Sequence, residues 1–80
     1  MNSTRYQIVN RIARGGVGAV DLVRDHRRSG TLVVRKVALG EDRNQEVVSE
    51  ARRLRSLRHP GLPWVYDCGI DCDGCFFYTM

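Results

Sequence analysis

Residues 12–20 have the sequence IARGGVGAV, in which Gly15, Gly16 and Gly18 fall within four positions. Short apolar runs with β propensity lie on both sides of this cluster, so the pattern predicts a hairpin with a glycine-rich loop. Glycine has no side chain, so an anion can approach the loop closely, and successive backbone N–H groups suit phosphate oxygens. Taken alone, a glycine cluster is more typical of a flexible turn.

The segments around this hairpin predict a small antiparallel sheet. Apolar, β-branched and aromatic residues recur in five short runs that are separated by polar or glycine-containing turns. The predicted strands are residues 6–12, 19–24 and 31–39, a fourth strand that starts within residues 62–67, and residues 75–80. We expect Trp64, Tyr66, Phe76 and Phe77 to belong to the sheet core.

One helix is predicted between the third and fourth strands, over residues 43–57. Its apolar residues recur with helical spacing, at Val47, Ala51, Leu54 and Leu57. Asp42 is a candidate N-cap, and the His-Pro-Gly sequence at 59–61 ends the pattern. The predicted fold class is therefore α+β, a five-stranded antiparallel sheet with one packed helix in the order β-β-β-α-β-β.

Composition limits the classes of function. The 80 residues carry a formal net charge of +4, and 12 of the 13 basic residues are arginines. The arginines alternate with acids and lack interleaved aromatics, which argues against nucleic-acid binding. No apolar leader or membrane-length apolar run is present, so we expect a cytoplasmic protein with no membrane contact in this segment.

Three cysteines cluster near the C-terminal end, at Cys68, Cys72 and Cys75. The last two form a Cys-x-x-Cys pair, but a structural zinc site needs four ligands and a second pair is missing. We therefore expect three thiols near a hairpin turn and no metal site.

The only lysine, Lys36, lies on the predicted third strand between apolar neighbours on the same face. Glu50 borders the apolar stripe of the predicted helix. A buried ammonium is costly unless it is paired, which favours a Lys36–Glu50 ion pair between sheet and helix. The alternatives are that Lys36 extends to water while Glu50 is a solvated edge residue, or that Glu46, one turn earlier, is the partner.

The order of a glycine loop, a strand lysine, a helix glutamate and a β-hairpin resembles the N-terminal lobe of eukaryotic-type protein kinases, in serine/threonine kinase style. Residues 13–20 match the Gly-x-Gly-x-x-Gly-x-Val loop of that family, and residues 33–36 match its Val-Ala-Ile-Lys strand. The resemblance spans residues 6–80 and leaves residues 1–5 as a tail. It implies a truncated kinase domain that ends at the gatekeeper position, Met80.

The resemblance also implies an ATP site. Lys36 would hold the α- and β-phosphates, oriented by Glu50, and the amides of the glycine loop would cover the phosphates. Ile12, Val20 and Val34 would form an apolar roof over the adenine, with Met80 at the gatekeeper position. The implied ATP-binding residues are Ile12, Ala13, Arg14, Gly15, Gly16, Val17, Gly18, Val20, Val34, Lys36 and Met80.

Three departures from the family pattern affect this site. The stretch from Lys36 to Glu50 is short, so the start of the helix is expected to be trimmed, and this is the reason that Glu46 is the fallback partner of Lys36. Ala13 replaces the first loop glycine, which is expected to reduce flexibility more than binding. Val34 replaces the usual alanine and narrows the adenine roof.

The sequence contains neither the His-Arg-Asp nor the Asp-Phe-Gly motif of the family, which supply the base and the Mg²⁺ ligands from the C-terminal lobe. We therefore expect a serine/threonine kinase lobe that is inactive alone, with protein substrates met only by the whole enzyme. Self-association through the uncovered lobe surface is a further expectation. The alternative function is a non-catalytic, kinase-like module that binds a protein partner.

Overall fold

The computed structural model describes residues 5–57, 59–61 and 64–80. These form β1 (Tyr6–Arg14), β2 (Gly18–Asp25), β3 (Thr31–Ala38), α1 (Asn44–Ser56), β4 (Asp67–Ile70) and β5 (Phe76–Thr79). All paired strands are antiparallel, and the order across the sheet is β1-β2-β3-β5-β4. The predicted five-stranded antiparallel sheet with one packed helix is confirmed for the described part of the chain.

Helix α1 packs on one face of the sheet and completes the apolar core. Val47 and Ala51 are four residues apart, so they lie on the same side of the helix and are both buried. They meet Ala38 of β3 and Tyr78 of β5 in a single cluster. This core fixes the helix over the central strands of the sheet.

The opposite face of the sheet curls until its two edges approach each other. The Tyr6 ring of β1 lies 5.4 Å from the Phe77 ring of β5 in an edge-to-face arrangement, although two strands separate β1 from β5. Neighbouring strands are about 4.8 Å apart, so a flat sheet would hold these rings much farther away. Arg5, just before β1, also reaches Asp67 of β4 at 2.7 Å.

Several predicted element ends were wrong. β1 runs on to Arg14 and β2 starts at Gly18, because the glycine loop forms a tighter turn than expected. β4 begins only at Asp67; the segment 64–66 is not a strand, and residues 62 and 63 lie outside the described residues. Trp64 and Tyr66 are exposed and do not belong to the core. The Tyr66 ring instead receives the Arg28 guanidinium at 4.7 Å.

The prediction that Asp42 caps the helix was also wrong. Residues Glu41–Arg43 form a 3-10 turn that leads directly into α1, and Arg43 occupies the N-cap position without a side-chain capping bond. At the other end, Leu57 lies beyond the last helical residue and is exposed. The apolar stripe therefore contacts the sheet only up to Leu54.

Asn44 fastens the start of α1 to the β4–β5 turn. Its Nδ2 donates to the carbonyl oxygen of Gly74 at 2.9 Å, and its Oδ1 accepts from the backbone N–H of Phe76 at 2.8 Å. One side-chain amide thus satisfies both a donor and an acceptor of the turn. The helix is held to the sheet at this end by hydrogen bonds as well as by packing.

Candidate functional site

The glycine-rich segment forms a short hairpin turn between β1 and β2. The backbone N–H of Gly15 donates to the carbonyl oxygen of Gly18 at 2.9 Å, which closes the turn, and Gly16 is exposed at its tip. Val17 is half-buried against the helix-side core, and its carbonyl oxygen accepts from the N–H of Leu39 at 3.0 Å. The turn is therefore anchored above the end of β3, on the side where the helix lies.

Lys36 lies on β3, the central strand of the sheet, directly beside β2 of this hairpin. Its cross-strand partners are Val20 of β2 and Tyr78 of β5. Directly opposed residues of an antiparallel pair place their side chains on the same face. Val20, Lys36 and Tyr78 therefore share the face on which α1 packs.

Lys36 is paired with Glu50 of α1 across the sheet–helix interface. Its Nζ lies 3.0 Å from Oε1 and 3.1 Å from Oε2 of the carboxylate. The side chains are 22% and 37% exposed, so the pair lies at the border of the core. Glu46, the other candidate partner, instead contacts Arg43 at 2.9 Å.

Tyr78 is a third member of this group, and nothing in the sequence pattern singles it out. Its hydroxyl donates to Oε1 of Glu50, and the residue is 1% exposed. Burial and the hydrogen bond to Glu50 together raise the pKa of Tyr78, so the phenol stays protonated. Strand alternation could have placed Tyr78 beside Lys36, but only once the register of β3 and β5 was known.

The electrostatics of Glu50 follow from these contacts. Burial acts to raise the pKa of its carboxyl, but the hydrogen bonds from Tyr78 and Lys36 outweigh that effect, and Arg53 adds to them. The pKa of Glu50 is therefore lowered from 4.5. At neutral pH the group is a carboxylate with two donors, which is the state that can orient an ammonium.

The residues expected to cover adenine are only partly brought together. Val34 and Met80 exchange two backbone hydrogen bonds of 3.0 and 2.8 Å, so they lie opposite each other on β3 and at the end of β5. Both are half-buried, as is Val20. On β1, Ala13 is the direct cross-strand partner of Val20, whereas Ile12 lies at the irregularity between Arg11 and Ala13. Both are exposed, as is Arg14.

An open cleft of about 560 Å³ lies between the glycine hairpin and the helix. It is lined by Val17, Lys36, Gln45, Glu46, Ser49, Glu50 and Arg53. The cleft thus joins the loop tip to the ammonium of Lys36. The cationic donors in this lining are the Lys36 ammonium and the Arg53 guanidinium, which suit an anionic ligand. The two carboxylates of the lining, Glu46 and Glu50, are paired with Arg43 and Lys36.

Gly18 is the loop glycine for which the structure leaves no room for a side chain. A Cβ at this position would lie 2.8 Å from the Val37 carbonyl oxygen and 3.2 Å from Cε of Lys36. Because the first of these contacts is with backbone, β2 and β3 would have to separate. We expect Gly18→Ala to lower the free energy of unfolding in urea by about 1–3 kcal/mol.

Gly16→Ala is the matched control for that change. A Cβ at Gly16 meets nothing within 4 Å, so this variant should keep or slightly increase stability. Equal urea midpoints for the two variants would contradict the close approach of β2 to β3 at Gly18.

Outside this site, the described residues offer little other chemistry. Cys68 and Cys72 are exposed and Cys75 is half-buried, all three as free thiols. Burial, and then Asp71 and Asp73, raise the pKa of Cys75, which makes it a poor nucleophile. Within 5–57, 59–61 and 64–80, no His, Cys, Asp and Glu side chains group closely enough to hold a metal ion. None of the helices formed by these residues has the length and apolar character to cross a membrane.

Comparison with known proteins relates the chain to protein kinases. No protein-family model matches it. It is 34% identical over 61 residues to the serine/threonine-protein kinase SRK2E of Arabidopsis thaliana, which covers 76% of this chain and 17% of that protein. Over 58 residues it is also 34% identical to SAPK2 of Oryza sativa and to SRK2A of Physcomitrium patens, both named serine/threonine-protein kinases, with 72% of this chain and 17% of each relative covered.

The chain thus spans about one sixth of the length of the curated relatives that it matches. The fold of this chain, and the order of the glycine hairpin, Lys36 and Glu50 along it, are those expected from the resemblance to a protein kinase lobe. The 80 residues belong to the eukaryotic-type protein kinase family and correspond to the N-terminal lobe of its catalytic domain.

Proposed function

We propose that this chain is the ATP-binding lobe of a serine/threonine protein kinase, an enzyme that transfers the γ-phosphate of ATP to protein hydroxyls. The observation that supports this most directly is the Lys36–Glu50 pair, at 3.0 Å, beneath the glycine hairpin. An oriented ammonium beside an exposed glycine loop is suited to a polyphosphate. The kinase names of the relatives point to the same chemistry.

Lys36 is proposed to bind the α- and β-phosphates. Its ammonium has three donors, and the contacts with the Glu50 carboxylate fix its direction without using all of them. The cleft beside it is open to solvent and reaches the half-buried Val17 at the loop. The backbone amides of the loop, from Gly15 to Gly18, would then cover the terminal phosphates.

The adenine ring is proposed to lie under the apolar part of the same sheet face. Val20 is directly opposite Lys36, and Val34 is two residues before it on β3, so both lie on that face. Met80, which is joined to Val34 by two backbone hydrogen bonds, would close the inner end of this surface. Ile12, Ala13 and Arg14 would form its outer edge on β1.

The remaining parts of phosphoryl transfer must come from elsewhere. The sequence has no His-Arg-Asp or Asp-Phe-Gly motif, so a base and the Mg²⁺ ligands would be supplied by a C-terminal lobe. The role proposed for these 80 residues is to bind and orient the nucleotide. On this proposal the isolated chain binds ATP weakly and transfers no phosphate to protein.

Replacing Lys36 tests this proposal. We expect Lys36→Met to weaken ATP binding to the 80-residue chain by roughly tenfold or more, because a charge-assisted contact with phosphate is lost. Binding is measured by titrating ATP into ¹⁵N-labelled chain and following the amide signals of Gly15, Gly16 and Gly18.

Arg52→Met is the matched control for that titration. It removes one positive charge from an exposed helix position that does not line the cleft. Its affinity for ATP should stay within about twofold of the unchanged chain. The proposal is wrong if ATP moves no loop amide, or if Lys36→Met binds as well as Arg52→Met.

A further inference from the structure

We propose that Tyr78 is a positioning residue that holds the Glu50 carboxylate against Lys36, an inference that rests on the proposed nucleotide-binding role of Lys36. The Tyr78 hydroxyl donates to Oε1 of Glu50, while Nζ of Lys36 contacts both carboxylate oxygens. Two donors from adjacent strands thus converge on one acceptor from the helix.

The ion pair by itself is a weak constraint on Glu50. Both side chains are long and partly exposed, at 22% for Lys36 and 37% for Glu50. An ion pair in such a setting competes with water and loses side-chain entropy when it forms, so its net contribution is small. Something more rigid is needed if Glu50 is to stay beside Lys36.

Tyr78 has the rigidity that the ion pair lacks. It is 1% exposed, and its ring packs against Ala38 of β3 and against Val47 and Ala51 of α1. A tyrosine has only two side-chain torsions, so this packing also fixes the position of the hydroxyl. The hydroxyl therefore marks one defined place for Oε1 of Glu50.

Tyr78 in turn depends on Glu50 for its hydrogen bond. A buried tyrosine hydroxyl needs a hydrogen-bond partner, and the one that the structure gives Tyr78 is Glu50. If Glu50 moved into solvent, Lys36 would lose its carboxylate and Tyr78 would be left with a buried, unsatisfied donor. The tyrosine thus couples the inward position of Glu50 to the packing of the core.

The register of the sheet explains why this residue is placed to act on Lys36. Tyr78 of β5 is the direct cross-strand partner of Lys36 on β3. Their side chains therefore leave the sheet side by side, toward the same helix. The charged and titratable groups that act on Glu50 are Lys36 from β3, Tyr78 from β5 and Arg53 from its own helix.

A carboxyl titration measures the contact without any nucleotide. The chain has three glutamates, Glu41, Glu46 and Glu50, so ¹³C-glutamate labelling gives three carboxyl signals, and Glu50→Gln assigns the third. In the unchanged chain Glu50 should titrate below 4.5. Tyr78→Phe should raise the pKa of Glu50, because a hydrogen bond to the charged form is removed. An unchanged titration of Glu50 in a folded Tyr78→Phe chain would overturn the inference.

Tyr66→Phe is the matched control, because it removes the hydroxyl of an exposed tyrosine on the same chain. It should leave the Glu50 titration unchanged. If Tyr78→Phe fails to fold, the Tyr78 Cζ signal of the unchanged chain is compared with that of Glu50→Gln. A shift of that signal supports the contact, and an identical signal refutes it.

The affinity for ATP separates this inference from the proposed function. Tyr78→Phe should weaken ATP binding by about three- to tenfold while Tyr66→Phe does not, because the Lys36 ammonium is less well oriented. If ATP does not bind the unchanged chain but Glu50 responds to Tyr78→Phe, the proposed function fails and the positioning contact stands. If ATP binds equally well to the unchanged chain and to Tyr78→Phe, Tyr78 does not position Lys36.

Discussion

Replacing Asp25 by alanine is expected to lower the free energy of unfolding by about 2–3 kcal/mol, because it removes the centre of a buried charge network. Asp25 is 1% exposed, and its carboxylate accepts two hydrogen bonds from Arg5, at 3.0 and 3.1 Å. It also accepts from the backbone N–H of Arg27 and lies 3.4 Å from Nε of Arg28. Without Asp25, these donors lose their acceptor.

The expected loss is below the upper limit for buried pairs for two structural reasons. Arg5 is 20% exposed, so water can partly replace the lost carboxylate. Arg5 also keeps its contact with Asp67, at 2.7 Å. For a chain of this size, a loss of 2–3 kcal/mol corresponds to a fall in Tm of about 10–20 °C.

Asp42→Ala is the control for this prediction, since it makes the same substitution at a side chain that is 84% exposed. The Asp42 carboxylate lies 4.0 Å from Nε of Arg43, which is too far for a hydrogen bond. Its Tm should change by less than about 3 °C. Thermal unfolding followed by circular dichroism compares the two variants. Equal Tm values would show that the arginine contacts of Asp25 contribute nothing to the fold.

The same network predicts how stability depends on pH. The hydrogen bond from Arg5 outweighs burial and lowers the pKa of Asp25 from 3.8 in the folded chain. As the pH falls below 3.8, the unfolded chain therefore binds the proton first, and folding loses the contribution of this carboxylate. The difference in the free energy of unfolding between the unchanged chain and Asp25→Ala should therefore shrink as the pH falls below 3.8. A difference that stays constant with pH would contradict the lowered pKa of Asp25.

The sequence was sufficient for the parts of the fold that local patterns determine. Glycine spacing, apolar alternation and helical periodicity predicted the five strands, the helix and their order, because each pattern is contained within one element. The cost of burying an unpaired charge also pointed to a contact between two elements, β3 and α1. A lone lysine and a glutamate on apolar faces suggested an ion pair and left a solvated Lys36 open. The order of motifs that resembles a kinase lobe favoured the pair, and the structure brings Lys36 and Glu50 within 3.0 Å.

The remaining features depend on register and curvature, which no single segment contains. Tyr78 joins Glu50 because β5 pairs with β3 in one particular register, and a shift by one residue would turn its ring to the other face. The contact of Arg5 with Asp67 requires the sheet to curl until its edges approach. The exposure of Trp64 and Tyr66 likewise follows from where β4 begins, which their strong β propensity could not reveal.

Val47→Asp is expected to abolish cooperative unfolding of the chain, because it places a carboxylate at the centre of the helix-side core. Val47 is fully buried against Ala38, Ala51 and Tyr78. An unpaired ionised or protonated carboxyl in such a site costs several kcal/mol. The total stability of a small domain is about 5–15 kcal/mol and is lowest for the shortest chains.

Gln45→Asp is the control for Val47→Asp, since it adds the same charge to an exposed position in the first turn of α1, where the helix dipole favours an acid. This variant should unfold cooperatively near the Tm of the unchanged chain. If Val47→Asp also unfolds cooperatively with a similar Tm, α1 does not depend on the Val47 contact for its place on the sheet. The contacts of Glu50 with Lys36 and Tyr78, together with the hydrogen bonds of Asn44 to the β4–β5 turn, would then suffice to hold the helix. That is a larger role than the partial exposure of Lys36 and Glu50 predicts.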